Sequence, residues 1–343
     1  MQKLTIYDIS RLAGVSVTTV SRVLNGSANV NQETREKVED VIRRHGYVPK
    51  QAARNFVQRD LYAVGLMMDD IRHAYMAELA YAIDQELSKW RVNTIVCNIV
   101  DIEREFISQV DNLIEKRVNG VILMGSIFEQ EICRITIERR YSGFPFVAVN
   151  GNFALPNVQE VMQDQFRGTL EAVRYLFQQG RRNIGWVFYN KSRSDQKKYA
   201  GFLEGMRECG LTAMRIQEAN EKSLPEGKLA TGLLMDAFPD TDAIIYSADI
   251  LAVGGTHCLN QRGIPIPDRV AVIGFNNSSQ ARQCYPPFTS IDNNIAETGK
   301  AAARLIIQVL NKKDPENVMI PCHLAIRGST EKVPQNQEGE MDS

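Results

Sequence analysis

The sequence predicts a small all-α helix-turn-helix headpiece followed by an α/β core of parallel, doubly wound sheets in two lobes. Three observations carry that prediction. Residues 5–46 hold three short amphipathic stretches punctuated by capping residues and glycines. From about Leu61 the texture changes to short apolar runs alternating with amphipathic segments, in two successive sets. The charge is also uneven. Residues 1–60 carry three Lys and seven Arg against three Asp and three Glu, a net +4, while the remainder carries −5. A basic head on an acidic body places phosphate contact at the N-terminus. A difference this small also fits chance unevenness.

In the headpiece, Thr5 caps a first helix over residues 5–13, with Asp8 in its first turn and Ile6, Ile9 and Ala13 inward. Gly14 supplies the positive φ of a sharp turn. Ser16 caps a second helix, Ser16–Leu24. Val20, Val23 and Leu24 share one face of it, and Val17, Thr18, Ser21 and Arg22 share the other. Asn25-Gly26 ends that helix and Asn31 caps a third, whose apolar stripe is Val38, Val41 and Ile42. An outward face of small hydroxyls and one Arg suits a major groove, since short side chains permit close approach and Arg forks onto guanine. An ordinary amphipathic surface helix has the same pattern. Gly46-Tyr47-Val48-Pro49 breaks the third helix, and Lys50–Val57 reads either as a short helix or as plain linker.

In the core, Tyr62–Met68, Thr94–Val100, Val121–Met124 and Phe146–Val149 read as buried parallel strands, with helices Tyr75–Trp90, Ile102–Lys116 and Glu129–Arg140 between them. A second set has strands Ile184–Tyr189, Ala243–Ser247 and Val270–Gly274, with helices near Phe166–Gln179, Asp195–Cys209, Gly227–Phe238 and Asp249–Arg262. Helix Ala296–Leu310 and the strand-like Cys322–Ile326 follow.

Several function classes find no support. The six cysteines lie at least 26 residues apart, which gives no metal knuckle and no disulfide framework. The four histidines share no ligand spacing, so no metal and no cofactor is expected. No phosphate-binding glycine loop and no nucleophile elbow occurs, and no residue set nominates an enzymatic reaction. Neither a signal segment nor a membrane-length apolar run is evident, so a cytoplasmic protein is expected.

Taken in order, Thr5-Ile6-Tyr7-Asp8-Ile9-Ser10, Ala13-Gly14-Val15-Ser16, Thr19-Val20-Ser21-Arg22-Val23-Leu24-Asn25-Gly26, Thr34-Arg35-Glu36-Lys37-Val38 and Gly46-Tyr47-Val48-Pro49 resemble the LacI/GalR family of bacterial transcription repressors. The resemblance covers roughly residues 5–330. It implies a DNA-binding headpiece (1–46), a hinge (47–60) and a periplasmic-binding-protein-like core (61–331), and the polar composition of 332–343 reads as a disordered tail. Within the core, it implies one lobe from about 61–160 and 292–321 and another from about 161–291 and 322–331. It further implies a homodimer on a palindromic operator, controlled by a small effector between the lobes.

Position by position, the resemblance gives Val17, Thr18 and Arg22 to base edges. It gives Tyr7, Ser16, Thr19, Ser21, Asn25, Thr34 and Tyr47 mostly to phosphate, register or nearby base edges, with packing within the headpiece the other reading for Tyr7 and Tyr47. Thr5, Asn31, Lys50, Ala53, Arg54 and Phe56 complete the set. Phe56 stands where the family usually has Leu and either wedges into a base step or packs on the core; the wedge is preferred.

Asp70, Tyr75, Met76, Asn150, Lys198, Asp249 and Asn276 are the effector-site candidates, with Asp69 beside Asp70. Each also has an ordinary reading: Asp70 as a helix cap, Tyr75 and Met76 as core, Asn150 as a turn. The pocket departs from the family pattern. Lys198 replaces an Arg, Ala248-Asp249 an Asn-Asp, and Gly274-Phe275-Asn276-Asn277 a Gly-Phe-Asp-Asp. Those losses leave three outcomes open: a different ligand, altered chemistry toward the same one, or no effector. A two-lobed solute-binding protein of the transport class is the alternative for the core alone.

Overall fold

The computed structural model describes residues 5–24, 30–44, 62–189 and 192–331. The chain divides into two units, Met1–Leu61 and Tyr62–Ser343. Of the expected features, Asn25, Tyr47, Lys50, Ala53, Arg54, Phe56 and the tail 332–343 lie outside the described residues.

In the first unit, α1 (Ile6–Ala13), α2 (Val17–Leu24) and α3 (Gln32–Arg44) close around Ile9, Ala13, Val20, Val23 and Val38. So small a core leans on its caps. The Asp8 N–H donates to Thr5 Oγ1 at 3.4 Å while the Thr5 N–H donates to the Asp8 carboxylate at 2.8 Å, a reciprocal box. Gly14 adopts φ 65°, the left-handed geometry the turn needs. Ser16 Oγ accepts from the Thr19 N–H at 3.1 Å, and Asn31 Oδ1 accepts from the Thr34 N–H at 2.8 Å.

Among the described residues, the second unit holds two six-stranded sheets. The first is built from β1 (Ala63–Met68), β2 (Asn93–Asn98), β3 (Gly120–Met124), β4 (Phe146–Val149), β5 (Val158–Gln163) and β11 (Val318–Ile320). Its order is β11-β5-β4-β3-β1-β2, and every pair is parallel. The second contains β6 (Ile184–Phe188), β7 (Arg215–Glu218), β8 (Ala243–Tyr246), β9 (Ala271–Phe275), β10 (Thr289–Asp292) and β12 (His323–Ala325). Its order is β12-β10-β9-β8-β6-β7, parallel except for the antiparallel β10–β12 pair.

Helices cover both faces of each sheet. On one side of the first sheet, Leu66 and Met68 pack with Leu79 and Ile83 of α4 (Ala74–Lys89) and Ile306 of α12 (Ile295–Leu310). On the other, Val121 and Leu123 meet Phe106 of α5 (Ile102–Glu115) and Ile137 of α6 (Glu131–Arg140). The second sheet lies between α7 (Gln165–Gln178) with α8 (Arg193–Glu208) and α9 (Leu224–Ala237) with α10 (Asp249–Gln261). A short α11 (Ser279–Gln283) follows β9. β1, β3, β4, β6, β8 and β9, buried on both faces, are near-continuous apolar runs, which is why they were visible in the sequence; β2, expected to be buried, is an edge strand with Val96 exposed that ends at Asn98.

β5, β7, β10 and β11 were not expected. They are short, or carry polar residues such as Gln159 and Gln217, and so lack that signature. The chain crosses between the sheets three times, after Gln163, Asp292 and Ile320. The first crossing lies three residues past the expected 160 boundary because β5 continues to Gln163.

Gly201 lets α8 lie directly on the start of α7: a Cβ there would stand 2.1 Å from the Phe166 carbonyl oxygen. That neighbour is backbone and cannot rotate away. Gly201→Ala is expected to destabilise the core by about 1–3 kcal/mol or more, read as a lower denaturation midpoint in urea. An unchanged midpoint would contradict the packing.

Candidate functional site

In a parallel α/β sheet, strand C-termini and the N-termini of the following helices share one edge. The register here levels those ends, since Met67 pairs with Leu123 and Met124 with Val149. Residues just past the strands of both sheets enclose a cavity of about 150 Å³. Asp69 follows β1, Ser126 follows β3, Asn150 follows β4 and Ser192 follows β6; Lys222 follows β7, Ala248 β8 and Asn276 β9.

Tyr75, Met76, Asn150, Lys198, Asp249 and Asn276 all line this cavity. Asp70 does not. Its carboxylate turns to Arg72, whose Nη2 donates to Oδ2 at 2.6 Å and holds the group well below the usual carboxylate range. Asp69 lines the wall instead. The sequence reading also missed Lys222, His73, Gln165, Ser126, Ser192, Ser194, Ser278 and Gln280. Lys222 was missed because β7 was; its position after a strand end is the signal that would have found it.

Most acceptors on the walls are engaged within the protein. Asn150, in a left-handed turn at φ 58°, accepts from the Gln163 N–H at 3.0 Å and donates to Gln163 Oε1 at 2.8 Å. Gln163 Oε1 also takes a bond from Asn293 Nδ2 at 3.1 Å, and Asn293 donates to Asn276 Oδ1 at 2.9 Å. Tyr75 OH accepts from Gln163 Nε2 at 3.4 Å, and burial raises its phenol above the ordinary range. This amide network runs from the end of the first sheet to the end of the second, behind the cavity.

Asp249 is buried at the first residue of α10. Its Oδ2 accepts from Ser278 N–H at 2.7 Å and Ser278 Oγ at 2.8 Å; its Oδ1 accepts from Ser290 Oγ at 2.7 Å. Burial outweighs those bonds and pushes the carboxyl up to about 6. Lys198 is buried on α8. Its ammonium donates to the Ser247 carbonyl at 2.9 Å and lies 4.1 Å from the Phe275 ring centroid. Desolvation takes it down to about 8, against the pull of Asp195. Asp195 accepts from Ser192 Oγ at 2.6 Å and Lys222 Nζ at 3.3 Å, while its Oδ1, 3.9 Å from Lys198 Nζ, has no hydrogen-bond partner among the described residues. Two ties join the lobes beside the cavity: the Ser279 N–H donates to Glu78 at 2.7 Å, and Arg193 lies 3.6 Å from Glu129.

On the headpiece, Thr18 and Arg22 are exposed on α2 while Val17, Thr19 and Ser21 are half-buried. Tyr7 is 67 % exposed on α1, which places it outside the headpiece core. Thr5, Ser16 and Asn31 act as caps, and the half-buried Thr34 lies in the first turn of α3. Among the described residues, no group of three His, Cys, Asp or Glu is placed to hold a metal, and no helix is long and apolar enough to cross a membrane. The six cysteines are free thiols, with burial pushing Cys133 and Cys322 up to about 12.

The model for bacterial regulatory proteins of the lacI family matches residues 5–50, and that for periplasmic binding proteins and the sugar binding domain of the LacI family matches residues 62–328. The chain belongs to the LacI family. It is a transcriptional regulator with a DNA-binding headpiece and an effector-binding core, and not an enzyme. The chain is 30 % identical to catabolite control protein A of Priestia megaterium, over 95 % of this chain and 99 % of that one. It is 29 % identical to an HTH-type transcriptional regulator of Lachnoclostridium phytofermentans, again over 95 % and 99 %. In fold it is similar to the lac repressor dimer bound to operator and the anti-inducer ONPF, with TM-score 0.85 at 21 % identity, over 96 % of this chain and 99 % of that chain.

Asp249 gives the core a pH signature. An unfolded Asp titrates near 3.9, so a carboxyl raised to about 6 binds its proton more tightly when folded. The stability it contributes is fully present below about pH 4 and lost as pH rises through about 6. Unfolding of the wild type and Asp249→Asn in urea across that window is expected to show the difference shrinking as pH rises; a flat difference would refute the assignment.

Proposed function

We propose that this LacI-family regulator is a cytoplasmic repressor that binds a palindromic operator as a homodimer, with a small metabolite in the inter-lobe cleft setting its grip on DNA. One observation carries the reading: α2 presents exposed Thr18 and Arg22 on a helix entered through a tight, capped turn. Short side chains let such a helix reach the floor of the major groove, where an Arg forks onto a guanine edge. Thr5, Ser16 and Asn31 sit at helix N-termini, where backbone N–H groups meet phosphate, with Tyr7, Thr19, Ser21 and Thr34 alongside. Asn25, Tyr47, Lys50, Ala53, Arg54 and Phe56 enter this reading by resemblance alone.

In the core, Glu78–Ser279 and Glu129–Arg193 are contacts that lobe opening would break, and a ligand bridging both walls would bias that motion. The transport-class alternative leaves the matched headpiece without a role. With the operator selected from random duplex, Arg22→Ala is expected to cost about 1–3 kcal/mol and to relax preference at one base position. Equal weakening on every sequence would contradict its place at a base edge.

A further inference from the structure

The hydrogen-bonding inventory of the cavity is lopsided. Asp249 already receives three bonds, and the oxygens of Asn150, Asn276 and Gln165 take bonds from Gln163, Asn293 and Ser194. Asp69 Oδ1 takes the Asp70 N–H at 2.8 Å, and Oδ2, 3.9 Å from His73 Nδ1, is the carboxylate oxygen on these walls closest to taking a ligand hydroxyl. Donors remain in excess. Lys198 uses one of its three N–H groups on the Ser247 carbonyl, and Lys222 reaches Asp195 at 3.3 Å. The N-cap residues of α4 and α10, His73 and Ala248, make no side-chain cap, so the dipole-positive ends of two long helices from opposite lobes also face the cavity.

A neutral polyol offers as many donors as acceptors and would leave these walls unmatched. A group that only accepts matches them. We propose that the effector carries a carboxylate or phosphate group seated between Lys198 and Lys222, with its hydroxyl end toward Asp69. Asp69, Asp195 and Asp249 outnumber the two ammonium groups, so donor count and the two helix ends, not net charge, select the anion. A cavity of about 150 Å³ limits the ligand to a small metabolite. This deepens the regulator reading and rests on it.

The test is calorimetric titration of the full-length protein with matched pairs: gluconate against glucose, glycerate against glycerol, and glycerol 3-phosphate against glycerol. The acid of at least one pair is expected to bind about tenfold or more tightly than its neutral partner, and whether the carboxylates or the phosphate do so separates the two sources. For that anion, Lys222→Met should lose about tenfold in affinity and Lys222→Arg, which keeps a cation beside Asp195, should recover most of it; Lys222→Met is also expected to melt lower, and titration below its melting transition keeps binding and folding apart. Neutral partners binding as well as the acids, no anion binding, or Lys222→Met binding unchanged would each overturn the proposal. None of these bears on selection of a DNA site, whose failure would sink the regulator reading instead.

Discussion

Parallel pairing is the constraint from which the cleft follows. Most strands are returned to their starting edge by a crossover helix, so most strand C-termini are followed by a helix N-terminus at one edge, while β4 reaches the parallel β5 through a loop alone. Two such sheets, joined by three crossings, place their loop-bearing edges around one cavity. The strands need only be apolar to build this. Chemistry is left to the first residues beyond them, and the walls accordingly come from Asp69, Ser126, Asn150, Ser192, Lys222, Ala248 and Asn276.

The headpiece obeys a different economy. The five buried apolar side chains among the described residues of the headpiece cannot by themselves hold three helices, because a unit this small buries little surface against its backbone entropy. The capping box at Thr5 and Asp8 and the caps at Ser16 and Asn31 each contribute about 0.5–2 kcal/mol, a large share of the stability such a unit can have. In the proposed reading the same N-termini meet phosphate through free N–H groups, so local stability and DNA contact would draw on one set of residues.

How legible each part was depended on where its information lies. β4 was read to the residue because Phe146–Val149 is buried on both faces and wholly apolar. β7, Arg-Ile-Gln-Glu at a sheet edge, has one large apolar side chain and no period to detect, so the loop after it, and Lys222 with it, stayed unseen. Asp69 and Asp70 could not be told apart in sequence, since which of two adjacent carboxylates turns inward was settled by Arg72 gripping the second. Asp249 was found, but its saturation by Ser278 and Ser290 depends on partners 29 and 41 residues away.

Lys198 shows how a residue can sit in a core for reasons other than the core. Keeping its ammonium charged at neutral pH, with the group lowered from 10.5 to about 8, costs the folded state about 3 kcal/mol relative to a solvated lysine. Removing the ammonium would leave the Ser247 carbonyl without its donor, which costs about 1–3 kcal/mol. An apolar side chain there would also leave the buried Asp195, 3.9 Å away, with one cation fewer. The ammonium therefore answers a buried carboxylate and faces the cavity at once. A point charge with N–H groups to spare, held by a carbonyl and the Phe275 ring, is a donor aimed at whatever binds there.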